Sequence, residues 1–273
     1  MKKSYIKFWG VRGSHPTPDL NKMIYGGDTS CVEIRYNDEL FIFDMGSGLR
    51  NLGEAMLKDT STPKKVNIFL SHYHWDHVVG MLNFSPLFDD SFTFNIHGTN
   101  QNTDINELQS KLLDTALWPV STDMLNAKIN FINLPGSHIQ ITNDIKIEYT
   151  NHPHPNGATS YKITFNKFSI LYTTDCEHSN NHVNENVANI AKGTNILIHD
   201  AHFTKEDLLN HRGWGHSSWQ DAVNLAQISG VDKLILYHFS PKYCDDTVSN
   251  IEINAQKQFK NTVAAKQQMK IEF

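Results

Sequence analysis

The chain has few cysteines, no excess of positive charge and no long apolar run, and each shortage excludes something. Three cysteines (Cys31, Cys176, Cys244) among 273 residues are too few, and odd in number, for a disulfide framework; they fit a reducing cytoplasm. The longest apolar stretches, VNIFL at 66–70 and NILIH at 195–199, are strand-sized, so no membrane span is expected. The opening MKKSYIKFWG has two lysines but no apolar stretch behind them, which argues against a secretory leader. A formal net charge of −5 argues against a broad non-specific nucleic-acid surface. Linkers, low-complexity segments and solenoid-period repeats are also missing, so one domain over 1–273 is expected.

What the chain does have is histidine, 15 of them, and their placement matters more than their number. Aromatic and β-branched runs predict strands at Tyr5–Trp9, Cys31–Tyr36, Leu40–Phe43, Val66–Leu70, Phe92–His97, Lys128–Asn133, Ile145–Thr150, Ser160–Phe165 and Phe168–Tyr172. Helical spacing marks Ser47–Lys58 and Asp104–Leu117. The end alternates: helix Val183–Ala191, strand Asn195–His199, helix Ser217–Ser229, strand Lys233–Tyr237, helix Ile251–Phe259, strand Met269–Phe273. Strands first, then strands mixed with helices, predict an α/β protein with sheets packed together and helices outside, an αββα sandwich.

The strongest signal is LSHYHWDHVVG at 70–80, directly after an apolar strand. Alternate residues of an extended stretch point the same way, so His72 and His74 can share one metal. Asp76 and His77 come where the chain turns toward a helix and can face a second metal. Imidazole and carboxylate suit zinc first, with manganese or iron as alternatives. Further ligands follow strand ends: Asp175 in LYTTDCE is the bridging candidate and His238 in LILYHFSP the last ligand. NHPHPNGATSY offers both His152 and His154. Asp44, in FIFDMGSG, reads as a turn-forming residue before Gly46.

HxHxDH after such a strand resembles the metallo-β-lactamase superfamily, whose members hold two divalent metals in an αββα fold. The resemblance implies one ion on His72, His74 and His154, another on Asp76, His77 and His238, and Asp175 between them; it gives Asp44 a second reading, equal to that of a turn residue, as a buried carboxylate orienting a ligand histidine. It favours His154 over His152, because the family pattern HPxGxxxY sets the ligand seven residues before a tyrosine, here Tyr161. Two metals imply hydrolysis by a hydroxide held between them, and His74 stands where oxygen-reducing di-iron relatives carry glutamate.

FWGVRGSHPTP, GGDTSC, HDAHF at 199–203 and HRGWGHSSW at 211–219 resemble ribonuclease Z and its phosphodiesterase relatives. Asp200 then matches the acidic member of their HEAT segment, and His216 the histidine of HST. An imidazolium held by a carboxylate can stabilise a phosphodiester transition state and protonate its leaving oxygen. Asp76, Asp200 and His216 are therefore the expected catalytic residues. No glycine/proline-rich arm of the kind that grips tRNA is present. With the acidic charge, that favours a small phosphodiester such as a cyclic nucleotide over nucleic acid. A tRNA 3′-processing ribonuclease, a lactonase or thioesterase, and a non-catalytic binding protein are the rivals. The segment Asp104–Val120 is expected to cover the site or to form a homodimer interface. Ser217 or Ser218 reads as a helix cap, Trp214 and Trp219 as packing residues, and His211 and Arg212 have no assigned role. His15, His97, His138, His178 and His182 are expected on surfaces or loops.

Overall fold

The computed structural model describes residues 4–99, 104–116, 118–179 and 182–273. Its elements divide into two compact units, neither continuous in sequence. One comprises Met1–Pro16, Asp28–Leu134 and Lys266–Phe273; the other Thr17–Gly27 and Pro135–Ala265.

Each unit is built on a seven-stranded mixed sheet. In the first, the order is Lys270–Glu272, Tyr5–Gly10, Cys31–Tyr36, Glu39–Phe43, Lys65–Phe69, Thr93–Gly98, Lys128–Asn133. Pairing is antiparallel up to Glu39–Phe43 and parallel beyond. Parallel strands are covered on both faces and need crossovers, which explains why the last four residues of ELFIF and of KVNIF are all buried. The crossover helix Leu49–Lys58 buries Leu49, Leu52, Gly53 and Met56, a single face at helical spacing. A Cβ on Gly53 would sit 2.8 Å from the Phe84 ring, so only glycine lets that turn approach. Leu52, Met56, Phe84, Phe92 and Phe94 belong to one buried cluster with Ile42, Val66 and Ile68.

The second unit repeats the scheme in reverse: Thr262–Ala264, Lys233–Tyr237, Ile196–Asp200, Phe168–Thr173, Ala158–Phe165, Ile145–His152, His138–Thr142. The first four are parallel and the rest antiparallel. Helix Trp219–Ser229 packs on Lys233–Tyr237 and Ile196–Asp200, and against helices Glu185–Ala191 and Asp245–Gln258. Ser218 caps it through a capping box with Asp221, and Gly230 ends it in the left-handed conformation. Among the described residues no helix is long and apolar enough to cross a membrane.

Several expectations need correction. The helix expected over Asp104–Leu117 stops at Leu112, and that at Ile251–Phe259 begins six residues earlier, at Asp245. The residues DDTVSN look turn-forming, but two acidic residues in a first turn favour a helix start. Strands His138–Thr142 and Thr262–Ala264 and helix Lys205–Leu209 were not expected. The helix expected from Ser217 starts at Trp219 because Ser218 is its cap. Trp219 is buried as expected, whereas Trp214 is 59% exposed. His15, His138 and His182 are exposed, but His97 and His178 are buried.

His97 has a measurable consequence. Its ring lies parallel to Phe69 at 4.6 Å, and Nε2 meets Asn67 Oδ1 at 3.2 Å. Burial pushes its pKa down to about 4, whereas an unfolded histidine titrates near 6.5. The fold therefore favours the neutral ring. The associated stability is complete above the unfolded pKa and is lost as pH falls toward 4. Between pH 7.5 and 4, His97→Phe should lose about 2–3 kcal/mol less stability than the parent in urea unfolding. Equal losses in both proteins would contradict this reading of His97.

Candidate metal centre

In the first unit, the strand Lys65–Phe69 delivers the histidine run. Leu70 N still donates to His97 O at 2.9 Å; the chain then leaves the sheet, and His74 stands at the position just before the short helix Trp75–Val78. His72, Asp76 and His77 are buried, and His74 is half-buried. The ring of His72 lies 4.5 Å from that of His74 and 4.3 Å from that of His77. Asp76 Oδ2 is 3.3 Å from His77 Nε2 and accepts from the Ser14 amide at 2.7 Å.

Asp44 organises this group from below. Its fully buried carboxylate accepts from Ser71 N (2.7 Å), Ser71 Oγ (2.8 Å) and His77 Nδ1 (2.8 Å). Ser71 Oγ also meets His72 Nδ1 at 3.0 Å. One network thus places a proton on Nδ1 of His77 and of His72, which turns each Nε2 into a lone-pair donor. Of the two readings of Asp44, the geometry is that of the orienting carboxylate.

In the second unit, Asp175 follows the strand Phe168–Thr173. Its oxygens face two imidazoles from different loops: His154 Nε2 at 3.7 Å from Oδ1 and His238 Nε2 at 3.3 Å from Oδ2. His154 Nδ1 donates to Gly215 O at 2.9 Å. That fixes the tautomer with Nε2 toward Asp175. A Cβ on Gly215 would lie 2.0 Å from His154 Nδ1, and the residue has φ +83°, so position 215 admits only glycine. His152 is differently engaged. Its Nε2 donates to Thr174 O (3.1 Å) and Asp175 O (3.2 Å), and its Nδ1 accepts from Ser160 Oγ at 2.9 Å. Burial lowers its pKa to about 4, so the neutral ring braces the Asp175 turn.

Asp200, at the end of Ile196–Asp200, is completely buried and heavily bonded. Oδ1 accepts from His202 N (2.9 Å) and Ser217 N (3.1 Å); Oδ2 accepts from Asp175 N (3.1 Å) and His216 Nδ1 (3.0 Å). Burial, the largest single influence, pulls its pKa up, but the charge and hydrogen bond of His216 and the neighbouring His238 together outweigh it and bring it down to about 2.

Three site residues, Asp44, Asp175 and His238, have positive φ (61°, 52° and 60°). Each stands just past a parallel strand. The left-handed region is uncommon for residues with a Cβ and costs of order 1 kcal/mol or more. Its use at three strand ends aims side chains where an extended backbone would not.

His202 carries no sequence-based role, yet its ring stacks on His216 at 4.1 Å with a 10° tilt, and its Nδ1 donates to His238 O at 2.9 Å. Burial keeps it well below the usual histidine range, hence neutral. The second histidine of HDAHF, two residues past Asp200, was the available signal. Glu177 was also missed: its carboxylate accepts from the amides of Gly213 (2.9 and 3.0 Å) and Gly215 (2.8 Å), pinning the HRGWG loop.

The donor sets fit divalent metals. Each unit presents imidazole Nε2 atoms with their Nδ1 atoms engaged, together with a buried carboxylate, a combination suited to zinc, manganese or iron.

Comparison with known proteins agrees with this chemistry. A model of the "Beta-lactamase superfamily domain" matches residues 41–239. Ribonuclease Z of Thermoplasma volcanium is 26% identical, over 98% of this chain and 96% of that protein. Among solved structures, the metallo-β-lactamase fold protein YhfI from Bacillus subtilis superposes with a TM-score of 0.74 at 22% identity, covering 100% of both chains. The short form of human tRNase Z gives 0.70 at 17% identity, covering 98% of each. The expected αββα class therefore stands, its two mixed sheets flanked by helices. The chain belongs to the β-lactamase superfamily, as a metallo-β-lactamase-fold, metal-dependent hydrolase related to ribonuclease Z.

Proposed function

We propose that the chain is a binuclear-metal phosphodiesterase that cleaves RNA, as its ribonuclease Z relatives are named for doing. The observation that carries it is the Asp200–His216 pair. A fully buried carboxylate sits 3.0 Å from His216 Nδ1, a pairing that favours a protonated imidazole able to serve a leaving oxygen. An ester with a good or tethered leaving group gains less from such a pair. Likeness to ribonuclease Z along nearly the whole chain supports RNA over the cyclic nucleotide that the sequence favours.

The ligands of this reading are those the motifs imply: His72, His74, Asp76 and His77 with His154, Asp175 and His238. The two ions would supply an activated water at neutral pH and polarise the phosphoryl group. The chain's own residues do the rest. Asp44, Ser71 and Gly215 O hold imidazoles in the tautomer that leaves Nε2 available, Asp200 anchors His216, and His202 supports its ring from one side.

A small phosphodiester remains the second reading, favoured by one observation: the sequence has no glycine/proline-rich arm. The test is metal-loaded protein, with and without chelator, on precursor tRNA carrying a 3′ trailer, on cyclic mono- and dinucleotides, and on bis(p-nitrophenyl) phosphate. Chelator-sensitive release of the trailer is the expected result. Turnover of cyclic nucleotides alone would transfer the assignment to the second reading. Hydrolysis of lactones or thioesters without any phosphodiester would defeat both.

A further inference from the structure

The second unit holds an open cavity of about 780 Å³ beside His154, lined by Pro153, Pro155, Glu177, Arg212, Gly213 and other residues. Its walls are unusual. Prolines flank His154 on both sides and offer neither N–H groups nor polar side chains, and the glycines opposite have no side chain at all. Such smooth faces suit a planar base or a sugar better than a solvated polar group.

Arg212 is the cation on this wall. One guanidinium nitrogen, Nη1, donates to His178 O at 2.9 Å, and it lies 3.8 Å from Glu177 Oε1, beyond hydrogen-bond length. Nε is buried with no partner among the described residues. Glu177 is itself engaged by the amides of Gly213 and Gly215, so its charge is shared with the loop it pins. A planar fork with five N–H groups, one of them bonded to His178 O, is suited to bidentate recognition of a phosphate. The side chain is 31% exposed, and the cavity it lines adjoins the imidazole whose Nε2 faces Asp175.

We propose that this cavity is a subsite for the nucleotide next to the scissile bond, and that Arg212 binds that nucleotide's own phosphate. The inference rests on the phosphodiesterase reading and deepens it. The substrate class becomes an oligonucleotide with at least two phosphates, because a cyclic mononucleotide has none to offer Arg212. The competing role is structural, with Arg212 only tethering the loop to His178 O.

The test compares bis(p-nitrophenyl) phosphate and UpU with pUpU and UpUp, which carry a flanking phosphate on one side or the other. The parent should show a KM lower by about tenfold or more for one phosphorylated dinucleotide than for UpU, the size of a charge-assisted hydrogen bond. Arg212→Gln should erase that preference mainly through KM, and Arg212→Lys should restore part of it. Activity without a flanking-phosphate preference would overturn the proposal alone. So would an Arg212→Gln enzyme that loses as much on bis(p-nitrophenyl) phosphate as on the phosphorylated dinucleotide, through kcat rather than KM. A parent inactive on all four compounds would instead remove the phosphodiesterase reading, and this subsite with it.

Discussion

His216→Ala should lower kcat on an RNA substrate by about 10²–10⁴-fold, the usual contribution of a positioned acid, and cost much less on bis(p-nitrophenyl) phosphate. The difference lies in the leaving group. A ribose hydroxyl departs as a strongly basic alkoxide and needs a proton, whereas p-nitrophenolate is stable unprotonated. The structure favours a proton on His216 through Asp200, whose buried carboxylate lies 3.0 Å from its Nδ1. Single-turnover rates on both substrates, with metal content confirmed, decide the matter. Equal losses on the two would mean that His216 serves something other than the leaving oxygen.

Asp44→Asn should weaken metal binding by about 10–100-fold, the range for partners that orient ligand histidines, while leaving much of the fold intact. The amide keeps one oxygen for Ser71 N, but its NH₂ would oppose both Ser71 Oγ and His77 Nδ1, which donate to the carboxylate in the parent. The His77 tautomer then inverts and its Nε2 loses the lone pair. Asp44→Ala should add a stability loss of several kcal/mol, because buried donors left without acceptors cost about 1–3 kcal/mol each. Competition against a chromogenic chelator reads the first effect, and denaturant unfolding of the metal-free protein the second. An Asp44→Asn protein that holds metal as tightly as the parent would show that this hydrogen bond does not tune the ligand.

Much of the molecule was legible because its chemistry is written at strand ends. An apolar run followed within a residue or two by HxHxDH, by Asp175 or by His238 can be found without coordinates, since the strand signal and the candidate ligands are both local. The buried partners are less visible. Asp44 before Gly46 is an ordinary turn by sequence; only the 2.8 Å contact to His77 Nδ1 separates the two readings. His202 and His216 are 14 residues apart, and nothing local reveals that their rings stack. His97 is the penultimate residue of the strand Thr93–Gly98 and is buried by its neighbours, while His178 is a loop residue buried against His199 at 3.2 Å. The choice between His152 and His154 needed the family pattern from the sequence, and the hydrogen bonds that occupy His152 depend on strand pairing between Ile145–His152 and Ala158–Phe165.

The left-handed backbone at Asp44, Asp175 and His238 sets stability against chemistry. At each position glycine would relax the main chain, so the side chains persist against a local thermodynamic preference. If Asp175 and His238 hold the metals as proposed, a descendant released from catalysis would be expected to drift toward glycine at these three sites, gaining ease of folding as it lost its metals. The same glycines, found together in another member of the superfamily, would therefore mark a chain that has kept the scaffold and abandoned the reaction.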